Sequence, residues 1–94
     1  MNRLVLQAQI LDIAAIRYTP AGLPALDLML KHESVVEEAG SPRKVAMEIK
    51  AVALGDIVKR IQALSLTEKT VFTGFLSAQR QGRGTVFHIT GFAD

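Results

Sequence analysis

The 94-residue sequence predicts an all-β domain, a small barrel of five strands with one short helix between the third and fourth. Three observations carry that expectation. Apolar residues alternate with polar ones along several runs, the period of two that gives a strand one buried and one exposed face. Only one stretch, after Gly55-Asp56, sets apolar residues at helical spacing. Gly74 interrupts the fourth apolar run, as happens where a barrel strand bulges or bends.

The elements follow in order. The first strand spans Arg3 to Ile13, with Leu4, Leu6, Ala8 and Ile10 on one face and Val5, Gln7 and Gln9 on the other. Arg17-Tyr18-Thr19-Pro20-Ala21-Gly22-Leu23-Pro24 reads as a polar turn, its prolines and glycine supplying the reversal. In the second strand, Ala25 to Glu33, Leu26, Leu28 and Leu30 point inward while Met29, Lys31 and Glu33 point outward. A polar loop from Ser34 to Pro42 comes next. The third strand, Arg43 to Leu54, separates Val45, Met47, Ile49 and Ala51 from Lys44, Ala46, Glu48 and Lys50. Asp56 is placed to cap the free N–H groups of a helix, and Ile57, Ile61 and Leu64 form its apolar stripe. The fourth and fifth strands cover Thr70 to Gln79 and Thr85 to Phe92. Hairpins around a single helix point to the OB barrel. In that fold, strands 2 and 3 and the loops joining strands 1–2 and 4–5 are the usual ligand site. Another small barrel or an open sheet is the alternative.

Composition bounds the rest. The chain makes a single domain, residues 1–94. A domain this small buries only about two thirds of its unfolded surface. Its hydrophobic fraction of 49% and mean hydropathy of +0.25 are high for that size, so either the core is generous or a partner subunit covers apolar surface, and self-association is expected. No cysteine is present, which excludes disulfides and thiolate metal sites. Gln7, Gln9 and Asp12 break the N-terminal apolar run too early for a signal peptide, and no run reaches membrane-spanning length. A cytoplasmic protein without membrane contact is the expectation. The formal charge is only +2, with six basic and six acidic residues in the first 50 positions. Nucleic acid would therefore have to bind through a local basic surface.

Catalysis finds little support. Glu33, Glu37 and Glu38 lie near His32, but the only other histidine, His88, is 56 positions away. Ser34 beside His32 lacks a positioned third partner, and adjacent strand residues face opposite ways. The sequence has no nucleophile elbow, phosphate loop or dinucleotide fingerprint. No enzyme, metal or cofactor is expected.

Binding is better supported. In Gln79-Arg80-Gln81-Gly82-Arg83-Gly84, two glycines let the backbone approach a phosphate and two arginines can fork onto its oxygens. An ordinary hairpin turn with solubilising arginines is the alternative. Lys31, Lys44 and Lys50 on the outer face of the second and third strands, with Arg17 and Arg43 in the flanking loops, extend this into a candidate single-strand groove. Glu33 and Glu48 share that face and dilute it, which leaves a solvated surface as the competing reading. Tyr18 is the one ring expected to be exposed, whereas Phe72, Phe75, Phe87 and Phe92 are expected in the core, Phe87 having the option of flanking the basic loop. With few exposed rings, phosphate contacts should dominate and binding should depend strongly on salt.

The combination of Thr19-Pro20-Ala21-Gly22-Leu23-Pro24 with His32-Glu33-Ser34 and Glu37-Glu38-Ala39-Gly40 resembles the primosomal replication protein N family. The likeness runs from Asn2-Arg3-Leu4-Val5-Leu6 to Thr73-Gly74-Phe75-Leu76. It implies a homodimeric OB-fold protein, related to bacterial single-stranded DNA-binding protein, that binds single-stranded DNA and the PriA helicase during replication restart, without enzymatic activity. By the same resemblance Arg17 and Arg43 match basic residues of the DNA face, and Arg80 and Arg83 fall in a loop where relatives place lysines. Ala46 stands where some relatives have tryptophan, Ser41 replaces an aromatic, Glu33 replaces a basic residue, and the last loop is shorter.

Overall fold

The computed structural model describes residues 1–93; Asp94, the final residue of the expected domain, lies outside them. Six strands and one helix follow in the order β1 (Leu4–Ile13), β2 (Arg17–Tyr18), β3 (Pro24–Glu38), β4 (Ser41–Leu54), α1 (Ile57–Gln62), β5 (Thr70–Ala78) and β6 (Thr85–Ala93). The sheet order is β1-β5-β6-β4-β3-β2, and a further pairing of β1 with β3 closes the five long strands into the predicted OB barrel. β4 and β6 are parallel, while the other pairs are antiparallel.

Closure depends on β1 serving two neighbours. Leu4 to Ala8 pair with β5, and Gln9 to Ile13 pair with β3. A bulge between Ile10 and Asp12 re-aims the strand between the two. The alternation read from sequence holds through the barrel, where Leu6, Ala8, Ile10, Leu26, Leu28, Leu30 and Ala51 are buried. Gly74 marks the second irregularity, a register shift at Thr73/Gly74. A Cβ there would run into the backbone carbonyl of His88, so β5 and β6 reach this spacing only with glycine.

Four expectations are corrected. The segment Ser34 to Pro42 is not a loop: β3 and β4 continue as a ribbon whose register runs to Glu38↔Ser41. Ala39 and Gly40 form its two-residue turn at φ 53° and 79°, the positive dihedrals of a tight hairpin. The polarity that suggested a loop has a simple cause. Beyond the barrel the ribbon is solvated on both faces, so nothing requires apolar alternation there.

The first predicted turn also contains structure, since Arg17 and Tyr18 pair with Ala25 and Pro24 as β2. Asp56 occupies the helix N-cap position but makes no side-chain capping bond. Leu64 lies past the end of the six-residue α1, half-buried against the core, and Val58 joins Ile57 and Ile61 in the barrel end. Arg60 on the same helix places its guanidinium 4.9 Å from the centre of the Phe92 ring, tying α1 to β6. No helix of the described residues is long and apolar enough to cross a membrane.

Candidate nucleic-acid groove

The outer face of the barrel carries a groove of about 730 Å³. Register fixes its floor. His88 pairs with Val52 and Val52 with Asp27, so these three form one row of the floor across β6, β4 and β3, and Phe75, paired with His88, continues the row on β5 beside the groove. One step along the strands, Ser77 pairs with Val86 and Lys50 with Met29. Alternation puts both rows on the face opposite the core. The β5–β6 loop walls one side with Gln79, Arg80 and Gln81, and Arg17 and Thr19 wall the other.

Of the eight residues expected to contact nucleic acid, Arg17, Lys50 and Arg80 line this groove. The other five lie elsewhere. Tyr18 is 70% exposed on the short β2, next to Arg17. Lys31 lines a separate shallow depression with Gln7, Gln9 and Lys69, and pairs with Glu33 at 3.3 Å. Arg43 and Lys44 sit on the projecting ribbon, Arg43 held by Glu38 at 3.2 Å. Arg83 is exposed in the β5–β6 loop.

Arg17 is engaged before any ligand arrives. Its Nε donates to Oδ2 of Asp27 at 2.7 Å and its Nη2 donates to Oδ1 at 3.1 Å. That hydrogen bonding holds the Asp27 carboxyl below its ordinary value, against partial burial and with help from the charges of Arg17 and Lys50. The guanidinium in turn is held more firmly charged, chiefly by the same bond. Asp12 adds a second carboxylate, so the groove offers three cations against two anions. This field is weakly positive, enough to orient phosphates but well short of a strongly basic channel.

Sequence reasoning missed an aromatic pair. Phe75, expected in the core, is 38% exposed. Its ring stacks on that of His88 with centroids 4.6 Å apart and planes within 8°. Ser77 Oγ holds His88 Nε2 at 2.8 Å. The signal was present in the alternation: Phe72 faces the core, so Phe75, three residues on in β5, falls on the opposite face, where it pairs with His88. The other phenylalanines stay inside, Phe72 and Phe87 fully buried and Phe92 half-buried 6.3 Å from Phe72.

His32 needs a second correction. It shares a face with Ser34, two residues on, and Ser34 Oγ lies 2.8 Å from its Nε2. Nδ1 lies 2.6 Å from the Gln7 carbonyl and must carry the proton there, since a carbonyl only accepts. The ring thus ties the base of the ribbon to β1.

Comparison with known proteins agrees with this architecture. A model described as "Another single-strand binding protein family" matches residues 2–91. Replication restart protein PriB of Bordetella pertussis is 49% identical over 81 residues, covering 86% of this chain and 76% of that protein. The chain belongs to the PriB family. Among solved structures, PriB from Ralstonia solanacearum superposes with a TM-score of 0.89 at 31% identity, covering 99% of this chain and 96% of that one. The single-stranded DNA binding protein of Thermus aquaticus gives a TM-score of 0.74 at 23% identity, over 99% of this chain and 49% of that one, a likeness of fold alone.

Proposed function

We propose that this chain is a replication-restart accessory protein that binds single-stranded DNA in the outer groove and works as a cytoplasmic homodimer docked on the PriA helicase. The observation that carries the reading is the convergence of Arg17, Lys50 and Arg80 on a groove floored by Met29, Val52 and Val86. Cations spaced around a partly apolar floor suit a flexible strand, whose phosphates and bases separate to opposite sides. A duplex keeps its bases stacked inside and cannot use that floor. Membership of the PriB family supports the restart role.

The homodimer has its own support. From Leu4 to Ala8, β1 pairs with β5 on one side only, and Val5 in this stretch is 53% exposed. An unpaired strand edge with exposed apolar residues is a surface that a second copy covers economically. Sedimentation should give twice the monomer mass.

Titration of a fluorescent single-stranded oligonucleotide at several salt concentrations tests the binding function. The affinity should fall steeply with salt and exceed that for duplex of equal length. Affinity independent of salt, or equal for duplex, would overturn it. A second reading is favoured by the ion pairs Arg17–Asp27, Lys31–Glu33 and Arg43–Glu38, which occupy three of the candidate cations. On that reading the domain acts mainly through protein contacts. Helicase capture that survives nuclease treatment, together with negligible oligonucleotide binding, would select it.

A further inference from the structure

We infer that the stacked Phe75–His88 pair is a nucleobase platform, the point at which the groove grips bases rather than phosphates. The inference rests on the single-strand reading above and deepens it. Phe75 is a large apolar ring left 38% exposed in a chain whose other three phenylalanines are buried or half-buried. Its place is not accidental to the groove. His88 lines the groove directly, and the register continues from it through Val52 to Asp27, the partner of Arg17.

The geometry suits a base. The two rings lie 4.6 Å apart and within 8° of parallel, so the pair already presents a stacked column that another flat ring can extend. The Ser77 hydroxyl, 2.8 Å from His88 Nε2, fixes the imidazole in this orientation. Because Gly74 carries no side chain, β5 and β6 approach closely beside the column and hold it rigid. A platform set in advance spares the ordering cost of recruiting a mobile side chain. Strands lie about 4.8 Å apart, so the Arg17–Asp27 pair sits three strand spacings from Phe75. A single-stranded backbone running between them would meet a cation on one side and a stacking surface on the other. Every base has a π-face, so the contact is sequence-tolerant.

The test compares an oligothymidylate with an abasic oligonucleotide of the same length, which keeps the phosphates and lacks the bases. Wild-type protein should prefer the thymidylate. Phe75→Leu, which keeps an apolar side chain but no ring, should lose about tenfold of that preference with an unchanged salt slope. Phe75→Ala should do the same, with circular dichroism reporting that each variant is folded. Phe75→Trp should keep the preference and, as the chain has no natural tryptophan, its emission should be quenched by the thymidylate and not by the abasic strand. An unchanged preference in the folded Phe75→Leu variant, with no quenching in Phe75→Trp, overturns the platform while leaving single-strand binding intact. Absence of wild-type binding to both strands at low salt overturns the parent reading and the platform with it. Loss of helicase capture by Phe75→Leu with oligonucleotide preference intact would reassign the pair to a protein contact.

Discussion

Arg17 and Asp27 form a two-pronged ion pair at the edge of the groove, Nε to Oδ2 at 2.7 Å and Nη2 to Oδ1 at 3.1 Å. Both side chains remain about half exposed, at 54% and 48%. A phosphate arriving at this corner must displace or share a carboxylate that already fits the guanidinium fork. If the groove binds single-stranded DNA as proposed, the pair restrains that affinity while holding Arg17 in position.

Asp27→Asn should release that restraint. The single-strand affinity should rise, and the slope of log affinity against log salt should steepen by up to about 0.7, one phosphate contact on a single strand. Oligonucleotide titration across salt checks both. An unaltered or weaker affinity would mean that Asp27 serves to aim Arg17 more than to restrain it.

The same pair predicts a pH dependence of stability. The Asp27 carboxyl is held below its ordinary value of 3.8 in the folded chain, mainly by its bond to Arg17. A group depressed in this way contributes stability that is fully present above its unfolded value and is lost as pH falls through the folded one. Wild type should thus be slightly more stable than Asp27→Asn at neutral pH, and the difference should close below about pH 4. Solvent screening of so exposed a pair keeps the effect small. Urea unfolding of both proteins from pH 7 to pH 2 measures it.

The two loop arginines should separate. Arg80 lines the groove, whereas Arg83 lies exposed in the loop beyond it. Arg80→Ala should flatten the salt slope by about 0.7, and Arg83→Ala should change it less. Equal losses would mean that the bound strand follows the loop rather than the groove.

Gly74→Ala should destabilise the fold. The added methyl would meet the His88 carbonyl and the Phe87 ring, neither free to give way inside a closed sheet. A cost of about 1–3 kcal/mol is expected for this overpacking. For a domain of this size it lowers the melting temperature by roughly 4–8 °C for each kcal/mol. Differential scanning calorimetry reads it, and an unchanged melting temperature would show that β5 can slide past β6.

Leu26→Ala probes the core directly. Leu26 has no exposed surface and sits among Leu28, Leu30, Ala53 and the helix residue Val58 in one cluster. Removing its branch should cost about 2–5 kcal/mol through lost burial and an unfilled cavity. Chemical denaturation should report a lower midpoint with no change in slope.

The chain's alternation was enough to read the barrel. Leu26, Leu28 and Leu30 face inward because a pleated strand allows no other outcome once one face is apolar, and Ile57 and Ile61 mark the helix that fills the barrel end. The ribbon was misread because Ser34 to Pro42 lies outside the barrel. There pairing is held by backbone bonds and a two-residue turn, neither of which leaves an apolar pattern.

The groove was legible only in pieces. Residue type marked Arg17, Lys50 and Arg80 as cations, and parity placed Lys50 on an outer face. Lys31 and Glu33 share a face of β3 two residues apart, but the engagement of Arg17 by Asp27 and of Arg43 by Glu38 joins different strands and could not be read from a list of charges. Local pattern determines which way a residue points, because pleat and helix repeat are properties of adjacent bonds. Partnership is a property of register and bulge, which long-range pairing sets. Alternation from the buried Phe72 turns Phe75 outward, and the register shift between Thr73 and Gly74, which leaves Thr90 of β6 unpaired, sets His88 opposite it with the two rings stacked.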